Sequence, residues 1–134
     1  MIWSMARSRA QVPPPLHELE AEIMEEVWRQ EETTVKRVTE ALNRKTKPPR
    51  AYTTYMTVMQ RLDDKGLLDR TRSGRYDTYT PTLSREEYQE LRAGAQVQDL
   101  VDEFGDLALA HFAKSLQTLD PVRRRQLRRL AGQL

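Results

Sequence analysis

The chain of 134 residues contains no cysteine. That removes disulfides, thiolate metal ligands and thiol nucleophiles together, and it accords with a reducing cytoplasm, the expected location. Histidine is nearly as scarce: His17 and His111 each stand alone, with no second histidine at helical or loop spacing. No transition-metal site and no cofactor are therefore expected. The five glycines are scattered, so no phosphate-cradling loop occurs. Long apolar runs are missing as well, and no membrane insertion is expected. The opening residues MIWSMARSRAQVPPP lack a continuous apolar stretch and are rich in Arg, Ser and Pro. A secretory leader is not expected there; residues 1–15 read as a flexible arm. Seven acids between residues 16 and 32 raise the question of acid–base chemistry, but nothing nearby offers a nucleophile. They are expected to form a solvated face, and the chain is not expected to be an enzyme.

What is present is an uneven distribution of charge. The net charge is only +2, and 38% hydrophobic content with a mean hydropathy of -0.77 fits a soluble protein with a modest core. Residues 16–32 carry the seven acids against one base, Arg29. Residues 43–75 carry nine bases (Arg44, Lys45, Lys47, Arg50, Arg61, Lys65, Arg70, Arg72, Arg75) against three acids. Residues 84–112 turn acidic again, and Arg123, Arg124, Arg125, Arg128 and Arg129 form a last basic cluster. A basic surface confined to one segment is the electrostatic footprint of a duplex binder.

The apolar periodicity divides the first half into short elements. Leu19, Ile23 and Val27, with Met24 and Trp28 beside them, form the buried stripe of a helix from Leu16 to about Gln30. Thr33 and Thr34 suit a short extended piece, and Thr34 can cap a second helix from Val35 to about Asn43 that buries Val35, Val38, Ala41 and Leu42. Pro48 and Pro49 end the basic loop that follows. From Ala51, a residue that competes with Thr53 as the cap, the apolar positions Tyr55, Val58, Met59 and Leu62 recur at helical spacing. Asp64, Lys65 and Gly66 close that helix. Leu67 and Leu68 start a strand, and Arg70, Arg72 and Arg75 line a turn expected at Ser73-Gly74. Tyr76 and Tyr79 are candidates for the hairpin core.

The outward residues of this region are the candidate DNA contacts. Lys47 and Arg50 precede the third helix, whose first amides attract phosphate. Tyr52, Thr53, Thr54, Thr57, Gln60 and Arg61 offer donors and acceptors within reach of base edges or phosphates, and Met56 at the margin suits a thymine methyl. Arg72 and Arg75 in the wing would track the backbone or enter the minor groove. Two other readings compete: a winged-helix module for an acidic protein partner, and a winged-helix regulator sensing a small molecule. The outward threonines argue against the first, because interface cores favour aromatic and apolar anchors.

The second half differs in kind. Ser84 and Glu87 form a capping box, opening a helix with Tyr88, Leu91, Ala95, Leu100, Val101 and Phe104 on its apolar face and Gly94 as a weak point. Gly105 is expected to break it, and Asp106 to cap a second helix with Leu107, Leu109, Phe112 and Leu116. Asp120-Pro121 starts a third, with Val122, Leu127, Leu130 and Leu134. Three narrow amphipathic helices cannot close a core alone, so a homodimer is expected, built on Tyr88, Leu91, Leu100, Val101, Phe104, Leu107, Phe112 and Leu116, the alternative being that they pack back on the chain's own first domain. The fold class is mainly α with a small antiparallel β hairpin. A winged helix-turn-helix DNA-binding domain (residues 16–82) precedes a C-terminal helical dimerisation region (residues 83–134).

The phrases LHELEAEIMEEVW (residues 16–28), TTVKRVTEALN (33–43), AYTTYMTVMQRLDDKGLL (51–68) and SGRYDTYTP (73–81) closely resemble the penicillinase repressor family of the BlaI/MecI type. The resemblance implies a cytoplasmic, dimeric winged-helix repressor that binds an inverted-repeat operator in double-stranded DNA. It also implies a membrane sensor protease as a partner, relieving repression by a cut in the dimerisation helices. Relatives commonly have an aliphatic residue where this chain has Tyr55, and often an acid where it has Gln60. The family's cleaved phrase, Asn-Phe-Ala-Lys, corresponds here to His111-Phe112-Ala113-Lys114, which makes His111 and Phe112 the candidate cleavage pair.

Overall fold

The computed structural model describes residues 12–133, so most of the arm expected over residues 1–15, and Leu134, lie outside the described residues. Six helices and one two-stranded antiparallel sheet occur among the described residues. Helix α1 (Glu18–Gln30) starts two residues later than the periodicity predicts. His17 stays extended and donates its backbone N–H to Glu20 Oε1 at 2.9 Å. The helix ends where Glu31 adopts a φ of 67° and donates its N–H to Val27 O at 2.7 Å. Helix α2 (Val35–Asn43) has the predicted limits, and Thr34 Oγ1 accepts from the Arg37 N–H at 3.2 Å. Helix α3 (Tyr52–Asp64) follows, with Ala51 at the cap position and no side-chain capping bond.

Strand β1 (Leu68–Ser73) pairs with β2 (Tyr76–Pro81), Arg70 lying opposite Tyr79 and Arg72 opposite Asp77. The turn is Gly74-Arg75, one residue beyond the expected Ser73-Gly74, because Ser73 still pairs with Tyr76. Gly74 takes a φ of 66°, which the tight two-residue hairpin requires and side chains resist. Tyr79 is buried, and its backbone exchanges hydrogen bonds with Thr33 at 3.0 and 2.8 Å, tying the α1–α2 link to the wing. Tyr76 is 60% exposed and does not join the hairpin core, because residues three apart on a strand point to opposite faces.

The core of the first half has the predicted composition: Ile23, Met24, Val27, Val35, Val38, Leu42, Tyr55, Val58, Met59 and Leu62 are buried together. The acids of α1 do not all form a solvated face, however. Glu20 and Glu26 are only 1% and 4% exposed. Lys65 Nζ lies 2.7 Å from Glu20 Oε2, and Arg29 and Gln30 both donate to Glu26 Oε1. Burial pushes the Glu20 carboxyl up, but the bonds from Lys65 and the His17 amide outweigh it and hold it below the usual carboxylate range. For Glu26 the hydrogen bond from Arg29 dominates and also lowers the pKa.

Helix α4 (Arg85–Phe104) opens with the predicted capping box: Ser84 N–H to Glu87 Oε1 at 2.8 Å and Glu87 N–H to Ser84 Oγ at 3.1 Å. It runs through Gly94 without a break, and residues 12–93 and 94–133 form two compact units. The first turns of α4 belong to the first unit. Tyr88, expected on the dimerisation face, is instead buried with its ring centroid 5.6 Å from that of Trp28. Its hydroxyl donates to Pro14 O at 2.8 Å, and Leu91 packs against the same core. Both residues therefore already pack within the first unit, Tyr88 against Trp28 and Pro14 and Leu91 against the core cluster.

In the second unit Gly105, with a φ of 56°, takes the cap position of α5 (Asp106–Gln117), leaving Asp106 as its first helical residue rather than its cap. Helix α6 (Pro121–Ala131) starts as predicted, with Asp120 Oδ1 accepting from the Arg123 N–H at 2.8 Å. Ala108 is buried and Val101 half-buried, whereas Leu100, Phe104, Leu107, Phe112 and Leu116 are exposed. Leu100, Phe104, Leu107, Ala108, His111 and Phe112 line an open apolar depression of about 310 Å³. Among the described residues no helix is long and apolar enough to cross a membrane.

Candidate nucleic-acid interface

Helix α3 is fixed by its own buried stripe and by Asn43. The Asn43 side chain accepts from the Tyr55 hydroxyl at 2.8 Å and from the Arg50 N–H at 3.0 Å, and it donates to Arg50 O at 2.9 Å. One amide thus joins the end of α2, the basic loop and the first turn of α3. Tyr55 is fully buried, and its hydroxyl finds a partner that an aliphatic residue could not supply.

With α3 held in this way, Tyr52, Met56 and Gln60 recur every fourth residue on the side turned to the wing. They line an open cleft of about 780 Å³ together with Arg72, Arg75 and Tyr76 of the hairpin and Thr34, Lys36 and Arg37 at the start of α2. The structure therefore brings five of the sequence-predicted residues (Tyr52, Met56, Gln60, Arg72, Arg75) into one concavity. Thr53, Thr54, Thr57 and Arg61 are exposed on α3 but do not line it. Lys47 is exposed in the preceding loop. Arg50 is half-buried, 3.5 Å from Glu22, and its pKa is raised by Tyr55 first and by Glu22 as well. It is engaged within the domain, so it differs from Lys47 in availability.

Within the wing, Arg70 braces the hairpin. It lies 3.6 Å from Asp63 of α3 and 3.9 Å from Asp77, and Tyr79 followed by Asp63 raises its pKa. Burial raises the Asp63 carboxyl despite Arg70 beside it, and burial likewise raises the Tyr79 phenol. Arg72 has one carboxylate neighbour, Asp77 at 3.7 Å, and its side chain is otherwise in solvent. Among the described residues no ion pair engages Lys36, Arg37, Lys47, Arg61 or Arg75. Lys36, Arg37 and Arg75 therefore line the cleft without an ion pair, while Asp77, which also lines it, lies beside Arg72.

Sequence reasoning missed Lys36, Arg37 and Tyr76. A signal for the first two existed: two cations in the first turn of a helix, where the macrodipole favours anions. A helix start carrying such charges suits a neighbouring phosphate, and the helix preceding a reading helix commonly crosses the DNA backbone. Chemically, the cleft combines guanidinium and ammonium groups for phosphate, an amide that matches adenine, and a thioether and aromatic rings that suit a thymine methyl.

A family model described as the penicillinase repressor matches residues 16–133. The transcriptional regulator BlaI of Mycobacterium tuberculosis, in each of two strains, is 39% identical over 104 residues, spanning 74% of this chain and 72% of the relative. A solution structure of the DNA binding domain of the repressor BlaI superposes with a TM-score of 0.50 at 26% identity, covering 58% of this chain and 93% of that one.

Proposed function

The chain belongs to the penicillinase repressor family, a family of transcriptional repressors and not of enzymes, and from that premise we propose that it represses transcription by holding an inverted-repeat DNA operator as a homodimer. The observation that carries the DNA reading is the cleft itself, where the outward stripe of α3 meets wing arginines and the cationic start of α2. In this reading α3 enters the major groove, with Thr53, Thr57 and Gln60 toward base edges. Arg72 and Arg75 reach the flanking backbone or minor groove, and Lys36, Arg37 and Lys47 hold phosphates.

Dimerisation uses the apolar residues that the second unit leaves exposed: Leu100, Phe104, Leu107, Phe112 and Leu116. One module with a handful of contacts binds weakly. Joining two makes the second engagement nearly intramolecular, worth roughly a hundred- to ten-thousandfold. Derepression then follows from any event that separates the pair, including a sensor protease cutting at His111-Phe112. That bond lies inside helix α5, so cleavage requires α5 to open locally before an extended substrate can form. The test is a titration of the intact protein against genomic promoter fragments and against scrambled duplexes of equal length. Saturable preference for one fragment supports the reading, and equal affinity for all of them contradicts it.

A further inference from the structure

Helix α6 lies outside both the cleft and the apolar depression, yet it carries the densest charge in the chain. Its eleven residues, PVRRRQLRRLA, hold five arginines and no acid. The whole chain is +2, so removing those five charges leaves -3. Without α6 the protein would be net acidic, and its long-range field would oppose approach to a polyanion. All five arginines are exposed, and no ion pair among the described residues engages any of them. Two of them make only neutral hydrogen bonds: Arg123 to Gln126 Oε1 at 3.2 Å and Arg124 to Gln117 O at 3.1 Å.

The spacing sorts these charges. Arg124, Arg125, Arg128 and Arg129 recur at i, i+1, i+4 and i+5, which places them along one side of the helix as two rows about 6 Å apart. Leu127 and Leu130 lie on the opposite side, with Arg123 among them. Burying those leucines against any neighbour leaves the four-arginine side facing outward. We propose that this arginine face is a second, sequence-independent contact surface for duplex DNA, separate from the reading cleft.

The chemistry favours phosphate on a nucleic acid over a lipid surface. The basic residues of α6 are all arginine, whose planar fork pairs with phosphate oxygens two at a time. A helix lying in a membrane surface needs a broad apolar side with aromatic anchors, and α6 has no aromatic residue. The choice of DNA rests on the function proposed above, and the experiment separates the two. Binding of the full chain to a random-sequence duplex, and separately to phosphatidylserine-containing vesicles, is measured across a salt series, for the wild type and for Arg124→Gln/Arg125→Gln/Arg128→Gln/Arg129→Gln, with sedimentation as a check on assembly. A matching Arg→Lys quadruple controls for charge against shape.

The Gln variant is expected to keep its sedimentation and its preference among fragments. Its log–log salt slope should fall by about 0.9 for each phosphate contact removed. The Lys variant should retain most of the slope. An unchanged slope and affinity in the Gln variant overturns the proposal, as does a loss confined to binding of phosphatidylserine-containing vesicles. If the wild type shows no fragment preference while the slope still falls, the operator reading fails and this surface stands. If preference is seen and the slope is unchanged, the operator reading stands and this surface fails.

Discussion

Residues 12–93 and residues 94–133 use apolar side chains in opposite ways. In the first unit Ile23, Val27, Val38, Tyr55, Met59, Leu62, Leu67 and Leu68 are all but sealed from solvent, because three helices, a hairpin and the first turns of α4 enclose them. In the second unit Phe104 and Leu107 remain 49% and 59% exposed, and only Ala108 among its apolar residues is buried. Both segments follow amphipathic periodicity equally well. The difference is that α1, α2 and α3 meet on several sides, whereas the apolar faces of the second unit find too little surface within one protomer. A unit of the first kind is stable by its own packing. In the function proposed above, a unit of the second kind is the part that assembly completes.

The largest effect expected from breaking this contrast is on operator binding. Phe104→Asp places a charge on the exposed apolar face and should cost roughly a hundred- to ten-thousandfold in affinity for a two-half-site duplex, with the protein sedimenting as a monomer. The melting of the first unit should barely change; a dimer of unaltered affinity would remove the role given to the second unit. Met59→Ala, inside the closed core, should instead lower stability by about 2–5 kcal/mol in a denaturant titration. A cost near zero would mean the core tolerates a void that its burial argues against.

Next in size is Thr57→Ala or Gln60→Ala, each expected to weaken specific binding by about 1–3 kcal/mol while leaving binding to random duplex nearly intact. An equal loss on both duplexes would reassign the residue to phosphate. The smallest effect concerns acid. The folded-state pKa of Glu20 is below its ordinary value of 4.5, so the unfolded chain binds the proton more readily as pH falls toward that value. The carboxylate's stabilisation is present above that range and is lost as pH falls through the folded value. Glu20→Gln should therefore flatten the decline of melting temperature below about pH 4.5, and parallel curves would exclude Glu20 as its source.

Much of this arrangement was legible from spacing. The stripes of α1, α2 and α3, the Thr34 cap and the Ser84–Glu87 box are local patterns, and local patterns survive into the fold. What escaped the sequence depended on distant partners. Burial of Glu20 requires Lys65, which is 45 residues away, and burial of Tyr88 requires Trp28 and Pro14. Periodicity marks Tyr88 as apolar-facing without saying which surface it meets. In the candidate site, Tyr52, Met56 and Gln60 could be placed on α3 by spacing alone. That Lys36, Arg37 and Tyr76 close the same cleft depends on how α2 and the hairpin pack around that helix, which no single element encodes.

The most direct measurement compares the affinity of the intact protein for a duplex bearing both inverted half-sites, recovered by footprinting, with its affinity for a duplex bearing one. If two joined protomers read the DNA, the paired site binds at least about a hundredfold more tightly. Equal affinity for the two duplexes would contradict the account.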